Sequence, residues 1–186
     1  MVVAEVVKNR TEGELTYLFS TAQFASVRGA AIRAGNTPPV PYDQACITQT
    51  VFNPAGHGGI DVASNGAVRV DLKSVYDGEV VDSCSGAADF DESTCGINGN
   101  YLRIKYPAQN GGSAFLQYGH LTSLAVKKGD KVANGQVVGK MGQSGLARGI
   151  HTHFHVLNAN FQALNEDFRV VYGLNGYPMC SGWGRR

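Results

Sequence analysis

Residues 149–156 read GIHTHFHV, and the alternation within them sets the class of fold. Successive side chains on a β-strand point to opposite faces, so His151, His153 and His155 project together while Thr152, Phe154 and Val156 point the other way. Working outward, comparable β-rich runs are KVANGQVVGKMG at 131–142, SAFLQYGHL at 113–121, NYLRIKYP at 100–107 and VRVDLKSVYDGEVVDS at 68–83, each bounded by turn residues. Twenty-four glycines fit many tight turns between short strands. The expected class is mostly β, an antiparallel sheet coiling into a partly open, barrel-like groove. At the other end of the chain, Leu15, Leu18, Phe19, Ala22 and Ala25 recur at helical spacing and predict a helix from Glu14 towards Gly35. The stretch NTPPVPY at 36–42, with three prolines, then forms a rigid connector. This reading divides the chain into a helical extension, 1–45, and one domain, 46–186. The tail from Asn165 to Arg186, holding Tyr172, Tyr177 and Trp183, should pack irregularly against that domain.

A length of 186 residues suits one well-buried core, and 43% hydrophobic with 17% charged residues is an ordinary globular balance. A formal charge of +1 gives no electrostatic reason for nucleic acid or an anionic membrane to be the partner. No run is long and apolar enough for a transmembrane helix, and Met1 to Arg10 lacks the cationic start and apolar stretch of a signal peptide. Export would then follow processing or another route, as for a protein carried on a phage particle. Of the four cysteines, Cys84 and Cys95 bracket the polar segment SCSGAADFDESTC, a loop that one bridge could clamp. Cys46 and Cys180 would tie the start of the domain to its tail, worth roughly 3 to 5 kcal/mol in the chain-entropy model. Two disulfides imply an oxidising, extracytoplasmic compartment; the alternative is four free thiols in a cytoplasmic protein.

All five histidines fall in three short motifs, GHGGID, QYGHL and GIHTHFHV. Same-face neighbours on a strand lie some 6 to 7 Å apart, so two consecutive ones seldom bind one ion through bonds of about 2 Å. One ligand with a catalytic neighbour is more natural. His57 and Asp61, with two glycines between them, add an imidazole and a carboxylate. Three protein ligands leave a fourth position open for water, the mark of a catalytic zinc site. Zinc would bring that water's pKa towards neutrality, and a spare histidine could act as general base or oxyanion stabiliser.

GHGGID, then QYGHLTSLAVKKGDKVANGQVVGKMGQSG, then GIHTHFHV resemble, in that order, the catalytic domain of lysostaphin and LytM-type peptidoglycan endopeptidases. The resemblance runs roughly from Asn53 to Val156. It implies a groove of the duplicated-hybrid-motif type, one zinc per chain held by His57, Asp61 and His153, and a catalytic pair, His120 and His151. It also places Tyr118 close enough to assist, and four loops around a groove for peptidoglycan peptides. Two positions depart from the family pattern, Ile150 for proline and His155 for glutamate. His155 could orient a ligand, add a third imidazole to the groove or face a buried pocket, of which the last is expected.

The rival within the resemblance is a catalytically inactive relative kept as a binding or activating module for cell-wall hydrolases, but such proteins lack ligands or catalytic histidines that are all present here. A biotinyl- or lipoyl-type carrier barrel, suggested by GDKVANGQVVG alone, leaves the histidines unexplained. A metal store or sensor would not need two further histidines beside the open position. The expectation is a monomeric, extracytoplasmic zinc endopeptidase acting on bacterial peptidoglycan.

Overall fold

Two long runs of alternating side chains form the centre of the molecule. In the computed structural model, which describes residues 37–50, 56–107, 113–164 and 174–181, these are β5 (Asn100–Pro107) and β6 (Ser113–Leu121), paired antiparallel. Around them lie β1 (Ala45–Gln49), β2 (Ile60–Ser64), β4 (Gly78–Cys84), β8 (Lys131–Val132) and β10 (Thr152–Leu157). Together they make a seven-stranded sheet in the order β1-β2-β10-β6-β5-β4-β8. A second sheet of β3 (Asp71–Lys73), β9 (Val137–Lys140) and β7 (Ser123–Leu124) has three strands in the order β3-β9-β7. The described helix is a single short turn, α1 (Glu92–Cys95), capped by the Asp91 side chain on the Ser93 amide.

The core lies where one face of the large sheet meets the small one. Ile60, Val62, Leu102, Ile104, Leu116, Phe154 and Val156 from the large sheet join Leu72 and Val138 from the small sheet in one buried cluster. Each such side chain contributes roughly 1.5 to 3 kcal/mol by leaving water. The other face of β10 is thereby left to the histidines. Both sheets are open, and among the described residues no barrel closes. The free edge at β1 is instead covered by the tail: Ile47 bridges Met179 and exchanges backbone hydrogen bonds with Pro178 and Cys180, beside the Cys46–Cys180 disulfide.

The proline connector is packed into the body. Val40 is buried, its amide donates to the Tyr177 hydroxyl and its carbonyl accepts from the same group, and the Lys73 amide donates to Pro39. The second disulfide, Cys84–Cys95, closes the predicted polar loop. The helix expected from Glu14 to Gly35 and the aromatic residues Tyr172 and Trp183 lie outside the described residues. No described helix is long and apolar enough to cross a membrane.

Candidate active site

Register across the large sheet brings the first two candidate ligands together. His153 on β10 stands directly opposite Asp61 on β2, as Phe154 stands opposite Ile60 beneath. Facing residues of an antiparallel pair have Cβ atoms about 5 Å apart, and here His153 Nδ1 reaches Asp61 Oδ1 at 2.7 Å. His57, in the turn before β2, brings Nε2 to 3.2 Å from the same oxygen and donates Nδ1–H to the Thr50 carbonyl at 3.0 Å. Glycine is needed beneath this cluster: a Cβ on Gly59 would lie 2.4 Å from the Phe154 carbonyl and 2.5 Å from the His153 ring.

His120 reaches the site through an irregularity. Between β5 and β6 the register steps from Leu102–Tyr118 to Asn100–Leu121, so Gly119 and His120 together oppose one residue, a β-bulge. His120 takes a φ of 61°, in the left-handed region. In a regular strand His120 would share a face with Tyr118. The bulge turns it to the other side, where its ring lies 4.7 Å from that of His151 and 6.0 Å from that of His153. Its Nδ1–H donates to the Ser144 carbonyl at 2.8 Å, which leaves Nε2 as the open nitrogen. His151 is oriented likewise, Nδ1–H donating to the Gly149 carbonyl at 2.9 Å, and its Nε2 is 3.7 Å from Asp61 Oδ2.

The same bulge corrects the expectation for Tyr118, whose ring is fully buried against Phe154 and whose hydroxyl meets Tyr106 and the Lys73 carbonyl on the core side of the sheet. His155 stays on the site face, edge-on to His153 at 5.1 Å, with Nε2 buried and without a hydrogen-bond partner. Two residues that the sequence did not single out hold His120. The Ser144 hydroxyl donates to the Leu121 carbonyl and accepts the Asn100 amide, while the Asn100 side chain binds Leu121 and both backbone groups of Ala87. The only sequence trace of this crossing is a pair of glycines, Gly99 and Gly145, whose backbones touch too closely for any Cβ.

Electrostatics match the geometry. Burial alone would push the Asp61 carboxyl up, but hydrogen bonds from His153 and His57 hold it well below the usual carboxylate range. Burial works against a charged His57, yet the Asp61 carboxylate and the Thr50 carbonyl outweigh it and raise its pKa. Both His57 nitrogens thus face acceptors, one of them where a cation would bind. Burial, then the neighbouring His151, pushes His120 down to about 4, so near pH 7 its Nε2 carries a lone pair. Burial and His153 do the same to His155, also to about 4.

His57, Asp61 and His153 each offer one ligand atom, all within 4.8 Å of one another. Bonds of about 2 Å from a tetrahedral ion would set donors about 3.4 Å apart, so small adjustments suffice. Two imidazoles and a carboxylate are a donor set suited to a divalent transition metal, with His120 and His151 flanking the side left open.

The model of Peptidase family M23 matches residues 55–166. The peptidoglycan DD-endopeptidase ShyA of Vibrio cholerae serotype O1 is 39% identical over 59 residues, 32% of this chain and 13% of that protein. The glycyl-glycine endopeptidase ALE-1 of Staphylococcus capitis is 28% identical over 110 residues, 59% of this chain and 27% of that protein. The chain therefore spans about a quarter or less of the length of these curated relatives. Among solved structures, a zinc-containing peptidase from Vibrio cholerae superposes with a TM-score of 0.52 at 29% identity, over 67% of this chain and 37% of that one.

Proposed function

From the premise that this chain belongs to peptidase family M23, we propose that it is a zinc endopeptidase that hydrolyses peptide bonds of bacterial peptidoglycan. One observation carries the reading: His57, Asp61 and His153 converge as a ligand set while His120 and His151 flank its open side. Zinc, when bound by those three residues, supplies Lewis acidity that activates water and polarises a carbonyl. His120, neutral and with Nε2 open, accepts a proton from the attacking water and returns it to the leaving amine. His151, fixed by donating Nδ1–H to Gly149, stands beside the same opening, and when it carries a proton on Nε2 as well it donates to the oxygen on which negative charge develops. Two disulfides and the family support work outside the cytoplasm on the polymeric substrate.

The test is release of new amino groups from purified peptidoglycan of differing cross-bridge types, with and without a zinc chelator. Chelator-sensitive release that returns on adding zinc is expected. A zinc-loaded protein that releases nothing from any wall would instead fit a binding or activating module.

A further inference from the structure

The relatives' names attach to two bond classes, one DD and one glycyl-glycine, and the site face of this chain carries a feature that chooses between them. Ala63 lies two residues beyond Asp61 on β2, opposite Cys46 on β1 and one position past the Val62–Thr152 pair that ends the ladder with β10. There a pocket of about 260 Å³ opens, lined by Ala63, Ser64, Arg148, Gly149, Cys180 and Ser181 among others. Gly149 is also the residue whose carbonyl orients His151, so the pocket adjoins the catalytic pair.

Arg148 is the cation of this pocket, and it is exposed. Arg69 is paired with Asp89 and Arg103 with Asp82, whereas Arg148 makes no ion pair among the described residues. Of the other polar side chains there, Ser64 donates to the Val68 carbonyl and Asn65 to that of Asp43. A guanidinium whose fork is unspent, held at the rim of a concave site, suits a planar carboxylate that can accept two parallel N–H bonds.

We infer that Arg148 and this pocket form a subsite for a substrate carboxylate close to the scissile amide, so that the chain is built for stem peptides, which carry free carboxylates, and not for uncharged glycine bridges. The inference rests on the endopeptidase reading above. Arg148 is a specificity residue here, and its effect belongs mainly in KM, falling with added salt because the group is exposed.

The experiment uses the full zinc-loaded chain and three synthetic peptides: one with a free carboxylate beside the scissile amide, its carboxamide twin, and pentaglycine acetylated and amidated at its ends. The wild type should show a KM roughly 10-fold or more lower for the carboxylate peptide. R148Q should erase that difference while leaving the carboxamide rates unchanged, and R148K should keep part of it. Equal treatment of the twins by the wild type, preference for pentaglycine, or an equal loss on all peptides in R148Q would overturn the subsite. Binding of N-methylated, uncleavable versions of the twins is measured in parallel. Arg148-dependent carboxylate binding without any hydrolysis would overturn the endopeptidase reading and support the subsite; hydrolysis without that dependence would overturn the subsite alone.

Discussion

At the scale of single residues, the five site positions separate by what each holds. His153→Ala removes one of the three proposed ligands, so zinc and hydrolysis should be lost together. His120→Ala should keep zinc, since its Nδ1 is spent on Ser144 and its Nε2 stands off the ligand set, but should slow hydrolysis by roughly 10² to 10⁴-fold. Metal analysis beside amino-group release distinguishes the two. Protonation gives a second expectation, for the metal-free protein. His120 and His155 are held near 4, below the roughly 6.5 of an unfolded imidazole, so the unfolded chain binds more protons between those values. Their contribution to stability is complete above about pH 6.5 and falls as the pH drops to about 4. His57, with a raised pKa, acts oppositely, losing its contribution as the pH rises through that pKa, while Asp61 loses its own only below the ordinary carboxylate range. With two groups against one, urea unfolding of chelated protein should show stability declining from pH 7 to 4.5. The decline should be shallower in His120→Asn, by on the order of 2 kcal/mol. An increase on acidification would contradict the assignment of buried, neutral rings.

At the scale of elements, the site depends on close approaches that side chains would block. Gly59→Ala would drive a Cβ into the Phe154 carbonyl and the His153 ring. Backbone on one side and a ligand on the other leave little room to relax, so weaker zinc retention and a loss of about 1 to 3 kcal/mol are expected, read by zinc competition and thermal unfolding. Asn100 is the joint where the loop closed by Cys84–Cys95 meets the Ser144 loop and the end of β6. Asn100→Ala takes the Asn100 partner from both backbone groups of Ala87, removes one of the two side-chain donors to the Leu121 carbonyl and frees His120 to shift. A fall in kcat of roughly 10-fold or more with zinc content unchanged should follow.

At the scale of the whole molecule, the open large sheet has one edge closed by covalent means. The Cys46–Cys180 bridge spans 134 residues and Cys84–Cys95 spans 11, so chain entropy assigns roughly 5 kcal/mol to the first and 3 to the second. Replacing Cys46 and Cys180 by serine should therefore lower the unfolding midpoint more than replacing Cys84 and Cys95. The second pair should weigh more heavily on kcat, because its loop carries Ala87 to Asn100. Thermal scans and rates on the two double variants check both halves of that expectation.

The sequence by itself determined the β class and the face of β10 that carries imidazoles, and it suggested the His57, Asp61 and His153 group and one of the three possible pairings of the four cysteines, the one found in the structure. Strand alternation is local, and imidazole, carboxylate and thiol chemistry has few substitutes, so GIHTHFHV, GHGGID and four cysteines suffice for those inferences. Tertiary structure alone decided that Asp61 faces His153, that a bulge at Gly119 and His120 sends Tyr118 into the core and His120 to the site, and that Asn100 and Ser144 hold that imidazole. It also decided that among the described residues the large sheet stays open, with the tail along its β1 edge, and that Arg148, without an ion pair among those residues, lines a pocket together with Gly149. Register, bulges and ion pairs depend on partners dozens of residues away, whose positions no local pattern records.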